Sequence, residues 1–387
     1  MRYQALAPED ATGLLSLIGL IALFIGLLFL IRHTQRKYLQ QAEVIPAAAA
    51  KPFPQTSGYV GKIPLFKKVN LSERQAALWQ AFQEWQSTYL LRGLDGNTEF
   101  LRGETHKRGL RYQLTSTSLT QGLAMFILAQ MAQDGDDSRG RFERLLAHLL
   151  AHPTQAQNAL SSWLSLPDLP TSPRLEPDLH AEAWILCALL AAKQQWGGLQ
   201  RFDLDQIFEE RSQAVLEILK QPEVNQESFF SPLLYFAIAQ HTADPTWQTQ
   251  TELDWRALIP LLREGKELPG RREALSLLQI GLEGLLLSDH GFAERSELAF
   301  SRLKRAFSYQ ENLEGEVEEG FSRLASFCCC APLAVLDKNG TDFDQLWSSL
   351  NQLQPGKQDA LGASLRLMAM MSMSGTLWLE ETQQGSL

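Results

Sequence analysis

Two kinds of apolar pattern divide this chain. Gly13 to Ile31 reads GLLSLIGLIALFIGLLFLI, nineteen residues without a charge, the length of one membrane-spanning helix. From about Leu71 onward apolar residues instead recur at spacings of three and four, as on one face of an amphipathic helix. The stretches are 72–92, 118–133, 137–152, 178–196, 203–220, 229–242, 248–262, 271–288, 293–308, 316–335, 341–352 and 356–372, which predicts about twelve helices. The clearest is Glu176 to Trp196, EPDLHAEAWILCALLAAKQQW, with Leu179, Ala183, Leu186, Leu190 and Ala191 along one stripe and Asp178, His180 and Glu182 in its first turn. Strand signals are nearly absent: there is no sustained alternation, and Asn339-Gly340 sits between helical stretches. The predicted class is mainly α. Twelve helices of similar length fit a helical solenoid or a closed double ring of helix pairs, and the lack of a repeat of fixed period counts against the solenoid.

Between the two patterns, Glu43 to Lys68 carries Pro46, Pro52, Pro54 and Pro64 with Gly58 and Gly61, which forbid a long regular element and mark a linker or a surface strap. The expected organisation is an N-terminal tail at 1–12, a transmembrane helix at 13–31, a juxtamembrane and Pro-rich segment at 32–70, and a helical domain at 71–387. No small-residue cleavage site follows the apolar run closely, so it reads as an uncleaved anchor. Arg32, Arg36 and Lys37 follow it whereas Arg2 alone precedes it, beside Glu9 and Asp10; the positive-inside rule then puts the large domain in the cytoplasm.

Charge and motifs narrow the chemistry. A formal net charge of -9 excludes nucleic acid as the main partner, because phosphate binding needs a basic face. Cys187 and the run Cys328, Cys329, Cys330 contain no C-x-x-C pair and read as small buried hydrophobes rather than a zinc site or disulfide framework. Neither GxxxxGK[ST] nor GxGxxG occurs, which removes the usual nucleotide sites; no metal and no cofactor is expected. Thr115-Ser116-Thr117-Ser118 reads as the N-cap of the following helix, with Gln121, three residues after Ser118, completing a capping box.

Several landmarks then fall in order: Trp79, Phe82 and Tyr89; LTSTSLTQGLAMF from Leu114 to Phe126; FERLLAHLL from Phe142 to Leu150; Trp163-Leu164 before PDLHAEAW; FFSPLLYFAIAQHTADPTW from Phe229 to Trp247; and GRREALSLLQIGLEG from Gly270 to Gly284. This order resembles glycoside hydrolase family 8, in particular the endoglucanases that accompany bacterial cellulose synthases. The resemblance spans most of residues 79–378 and rests on order and spacing. It implies an (α/α)6 barrel of twelve helices, in keeping with the independent helix count.

The family's motifs read roughly T-S-E-G-Q-x-Y-G-L, A-S-D-A-D-x-W, N-P-S-Y and S-S-Y-D-A-x-R. Matching Gly122-Leu123 to the first puts Thr117 where the acid glutamate belongs, and a threonine hydroxyl cannot protonate a leaving group near neutral pH. His180 takes the place of an aspartate that holds the distorted sugar, Glu182 that of the next one, and Glu273 that of the base aspartate. Inverting hydrolysis needs both an acid and a base, and general acid catalysis is worth about 10²–10⁴-fold. The resemblance therefore implies an inactive or nearly inactive relative, with Glu273 as residual base and Glu182 as a stand-in carboxylate.

For each residue a plain reading stands beside the functional one. His180 faces a ligand or caps the helix. Glu182 serves chemistry or favours the helix dipole, and Glu273 lies beside Arg271 and Arg272 as a local ion pair. Phe229, Phe230 and Tyr235 stack on sugar faces or fill the core. The expected function is a membrane-anchored protein that binds a β-glucan or related exopolysaccharide, or scaffolds its synthesis and export machinery, at the bacterial inner membrane. The resemblance implies the periplasmic side, against the charge rule. The alternatives are a structural helical subunit of a membrane secretion or conjugation assembly, docking protein partners, and a divergent active endo-β-glucanase.

Overall fold

The structure, a computed structural model, describes residues 48–55 and, with short interruptions, 68–264 and 340–378, together with parts of 282–335. The chain divides into two units, Met1–Pro46 and Ala47–Leu387, and the described residues belong to the second.

Nine helices are present among the described residues: α1 (Leu71–Tyr89), α2 (Ser118–Gln130), α3 (Ser138–Ala151), α4 (Leu179–Trp196), α5 (Leu204–Leu219), α6 (Pro232–Thr242), α7 (Pro245–Glu264), α8 (Gly340–Gln352) and α9 (Ala360–Ser374). The expectation of twelve helices in an (α/α)6 barrel is corrected to a mainly α fold with nine helices among the described residues. The stretches 271–288, 293–308 and 316–335 fall wholly or largely outside the described residues. The membrane-anchor expectation is also withdrawn: among the described residues no helix is long and apolar enough to cross a membrane, and Gly13–Ile31 lies outside them. With it go the membrane as a partner and the placement at the inner membrane.

The helices form two layers. Buried residues run along nearly every position of α2, α4 and α9, the mark of helices surrounded on all sides. α2 packs between α4 and α9, while α3, α5 and α1 back α2, α4 and α9 in turn; α6 continues the inner layer beside α4 and pairs with α7. The outer helices bury one stripe only; in α1 it is Arg74, Leu78, Ala81, Phe82, Trp85 and Tyr89. Gly122 is where the closest inner pair meets, because a Cβ there would stand 3.1 Å from Ile185 N and 3.2 Å from Trp184 Cβ.

α2 and α4 run parallel. At their N-terminal ends, Ser118 N donates to Trp163 O (3.0 Å) and Trp163 N to Glu176 O (3.1 Å). At their C-terminal ends, residues 48–55 cross the base as a strap. Ala50 N donates to Gln195 O and Phe53 N to Ala132 O, both at 2.8 Å. Lys51 and Gln195 exchange two further bonds, and Phe53 stacks on Trp79 with ring centroids 5.5 Å apart. Beside the strap, Gln130 and the Trp378 backbone bond reciprocally (2.7 and 3.0 Å), and Lys51 Nζ stands 4.6 Å from the Trp378 ring.

Strands, nearly absent from the sequence pattern, occur as three small antiparallel pairs: β1 (Leu90–Arg92) with β2 (Glu99–Leu101), β3 (Thr105–Arg108) with β4 (Arg111–Leu114), and β5 (Ser116–Thr117) with β6 (Leu164–Ser165). Two to four residues are too few to show alternation. The first hairpin turns through Asp95-Gly96, with Gly96 at φ 73°; Asp95 Oδ1 accepts from Asn97 N, Thr98 N and Thr98 Oγ1.

Candidate functional site

The parallel N-termini of α2 and α4, with β5 and β6 between them, form the mouth to which Thr117, His180 and Glu182 map. Thr117 caps α2: its Oγ1 accepts from Thr120 N at 3.3 Å. The Thr120 hydroxyl spends its proton on Thr117 O (2.9 Å), so across the 3.0 Å contact between the two hydroxyls Thr117 is the donor. The cap is therefore Thr117 rather than Ser118, and Gln121 Nε2 reaches instead to Ser116 Oγ at 2.6 Å. Thr117, the residue that the resemblance sets at the acid's place, is here a helix cap.

Glu182 lies in the first turn of α4 and is fully buried. One oxygen accepts from Ser161 N at 2.9 Å; the other meets Arg211 Nη1 at 2.6 Å. Arg211 Nη2 in turn donates to Ser161 Oγ at 2.9 Å. The two charges neutralise one another out of water, and both carboxylate oxygens are committed to the fold. His180 is buried too, and its backbone N donates to Asp178 Oδ1 at 3.0 Å, which is the cap of α4.

Tyr235, on α6, is completely buried, with its ring 5.4 Å from that of Trp247. Burial, then Asp254 and Asp178, push its phenol well above the ordinary tyrosine range, and its hydroxyl has no hydrogen-bond partner among the described residues. Phe229, Phe230 and Glu273 lie outside the described residues.

Three features here escaped the sequence reading. Arg211 stands 29 positions from Glu182, on a helix whose sequence marks it only as one more cation. Under β5 and β6, Ser165 Oγ donates to Ser116 O (3.2 Å) and so accepts from His148 Nε2 (2.9 Å), which carries the proton. Burial, then the neighbouring His152, lower the His148 pKa to about 3, against a small opposing pull from Asp95. Trp163, noted in sequence only as a landmark, is 44% exposed although both its backbone groups are bonded.

No family model matches this chain, and no curated protein does. Solved structures do match. The apo β-1,3-1,4-glucanase of Paenibacillus sp. X4 aligns with a TM-score of 0.67 at 16% identity, over 86% of this chain and 100% of that one. Rex8A of Paenibacillus barcinonensis, complexed with xylose, gives 0.64 at 15% identity over 84% and 100%. A cold-adapted family 8 xylanase in complex with substrate gives 0.63 at 12% identity over 87% and 98%.

The fold distantly resembles that of the family 8 glucanases and xylanases. At these identities the likeness is one of fold. The glucan and xylan chemistry belongs to those proteins, and fold alone does not carry a substrate across. The expectation of a β-glucan, or of a synthase or secretion complex, as partner of a membrane-anchored chain is dropped together with the anchor.

Proposed function

We propose that this chain is a family 8-like helical body that has given up acid–base hydrolysis and serves as a structural module. The observation that carries the reading is the commitment of the mouth's polar groups. The hydroxyl of Thr117 caps α2 and is bonded to Thr120, and both oxygens of Glu182 are held by Ser161 and Arg211. An inverting glycosidase needs one carboxyl group free to protonate the leaving oxygen and another free to activate water. A threonine cannot do the first, and a carboxylate locked to a buried guanidinium is a poor candidate for either. Burying an ion pair at the old reaction centre trades chemistry for a fixed geometry between α4 and α5.

The test is release of reducing ends from mixed-linkage β-glucan and from xylan by the full chain at micromolar concentration over a day. The expected result is no turnover above a boiled control. Thr117→Glu, which restores a carboxyl group at the cap, is expected to leave the chain inactive, because the neighbouring carboxylate at the mouth, Glu182, is held by Arg211 and Ser161. Turnover by the unaltered chain that is lost in Glu182→Gln would overturn the proposal and make Glu182 a working carboxylate.

A further inference from the structure

Away from the mouth, the first turns of α1 and α8 meet around a second buried arginine. Arg74 is fully buried. Its Nη1 donates to Val69 O at 2.8 Å, and its guanidinium carbon lies 5.2 Å from the centroid of the Phe343 ring. Nε and Nη2 have no hydrogen-bond partner among the described residues. Those two atoms share one edge of the guanidinium, the edge whose parallel N–H groups receive a carboxylate or phosphate in bidentate fashion.

Among the described residues, the acids nearby are already engaged. Both oxygens of Asp344 lie 2.8 Å from Lys68 N, and Glu73 Oε2 accepts from Asn70 N in the capping box of α1. Burial opposes the charge on Arg74, and Asp344 restores it only in part. Two helix N-termini, each the positive end of its dipole, thus face a guanidinium whose bidentate edge is unused.

We propose that Arg74, between the first turns of α1 and α8, is the receptor for a small oxyanion, a phosphate or a carboxylate, bound on its Nε and Nη2 edge. Lys68 and Asn70 are exposed and Val69 half-buried, so the anion enters where the chain joins α1, by displacing that short segment. Asp344 competes for the same positive charge and tunes the affinity.

The experiment is thermal unfolding of the full chain in titrations of potassium phosphate and of potassium acetate, against potassium chloride at equal ionic strength. The expected result is a saturable rise in Tm with one or both oxyanions that chloride does not give; which of the two acts assigns the ligand. Arg74→Gln is expected to abolish the rise. Asp344→Asn keeps an acceptor for Lys68 N and removes the competing charge, and is expected to lower the half-saturating concentration roughly threefold. No rise beyond chloride, or the same rise in Arg74→Gln, overturns the proposal. If Arg74→Gln does not fold, Asp344→Asn decides, and an unchanged half-saturation overturns it.

Discussion

Arg211 and Arg74 are both buried to within 1% of full enclosure, yet the fold treats them in opposite ways. At the mouth, Arg211 faces a carboxylate at 2.6 Å and a hydroxyl at 2.9 Å, the Glu182 carboxylate also accepts from Ser161 N, and of the guanidinium only Nε has no hydrogen-bond partner among the described residues. At the entry to α1, Arg74 has one carbonyl and an aromatic face. A buried cation costs several kcal/mol unless it is paired, so the first charge is balanced within the protein whereas the second calls for something from outside. The same side chain marks a finished structural joint in one place and a receptor in the other.

The largest effect expected from breaking that contrast is at the mouth. Arg211→Met strands the Glu182 carboxylate in the core and should cost about 3–5 kcal/mol in urea unfolding. The double variant Arg211→Met with Glu182→Leu should recover most of it, since a buried pair is commonly replaceable by apolar groups. If the double variant is as unstable as the single, the joint contributes more than its charges.

Next comes acidification. The folded-state pKa of His148 lies near 3, below its unfolded value of about 6.5. The unfolded chain therefore takes up a proton that the folded chain refuses, so stability is flat above about pH 6.5 and falls as pH drops toward 3. The loss should be on the order of 3 kcal/mol at pH 4, and unfolding curves of His148→Gln should lack that component.

Thr117→Ala removes the cap of α2 and should cost about 1 kcal/mol, readable as a few degrees in Tm. Smallest of all, Arg74→Met in chloride buffer should change stability by less than about 1 kcal/mol, because it removes an uncompensated charge along with one bond. A cost comparable to that of Arg211→Met would erase the distinction between the two arginines.

How much of this was legible in the sequence follows from the range of each interaction. Helix positions were readable because a stripe at threes and fours is local: the reading 178–196 became α4 at Leu179–Trp196, and 203–220 became α5 at Leu204–Leu219. The cap of α2 was legible to within one residue, as Thr117 and Ser118 are chemically alike and only backbone geometry separates them. Apolar length alone drove the membrane-span reading; Gly13–Ile31 lies outside the described residues, among which no helix is long and apolar enough to cross a membrane. The short sheets were invisible because strands of two to four residues show no alternation even in a local hairpin such as that of Arg108 with Arg111, and the third pair, Ser116 with Ser165, joins residues 49 positions apart. Glu182 was found as a candidate carboxylate, but its commitment depends on which cation the packing of α5 brings to it, and a single sequence holds no record of that choice.

The strap at the base has a practical consequence for anyone cutting this protein into pieces. Its grip is made largely by main-chain groups of Ala50, Lys51 and Phe53 on Gln195 and Ala132, so the identity of most strap residues matters little while their presence matters a great deal. A fragment begun at Leu71, where the helical rhythm starts, would uncover the Trp79 face that Phe53 occupies and leave the Gln195 and Ala132 carbonyls facing water. An expression boundary placed just ahead of residue 48 keeps the base closed.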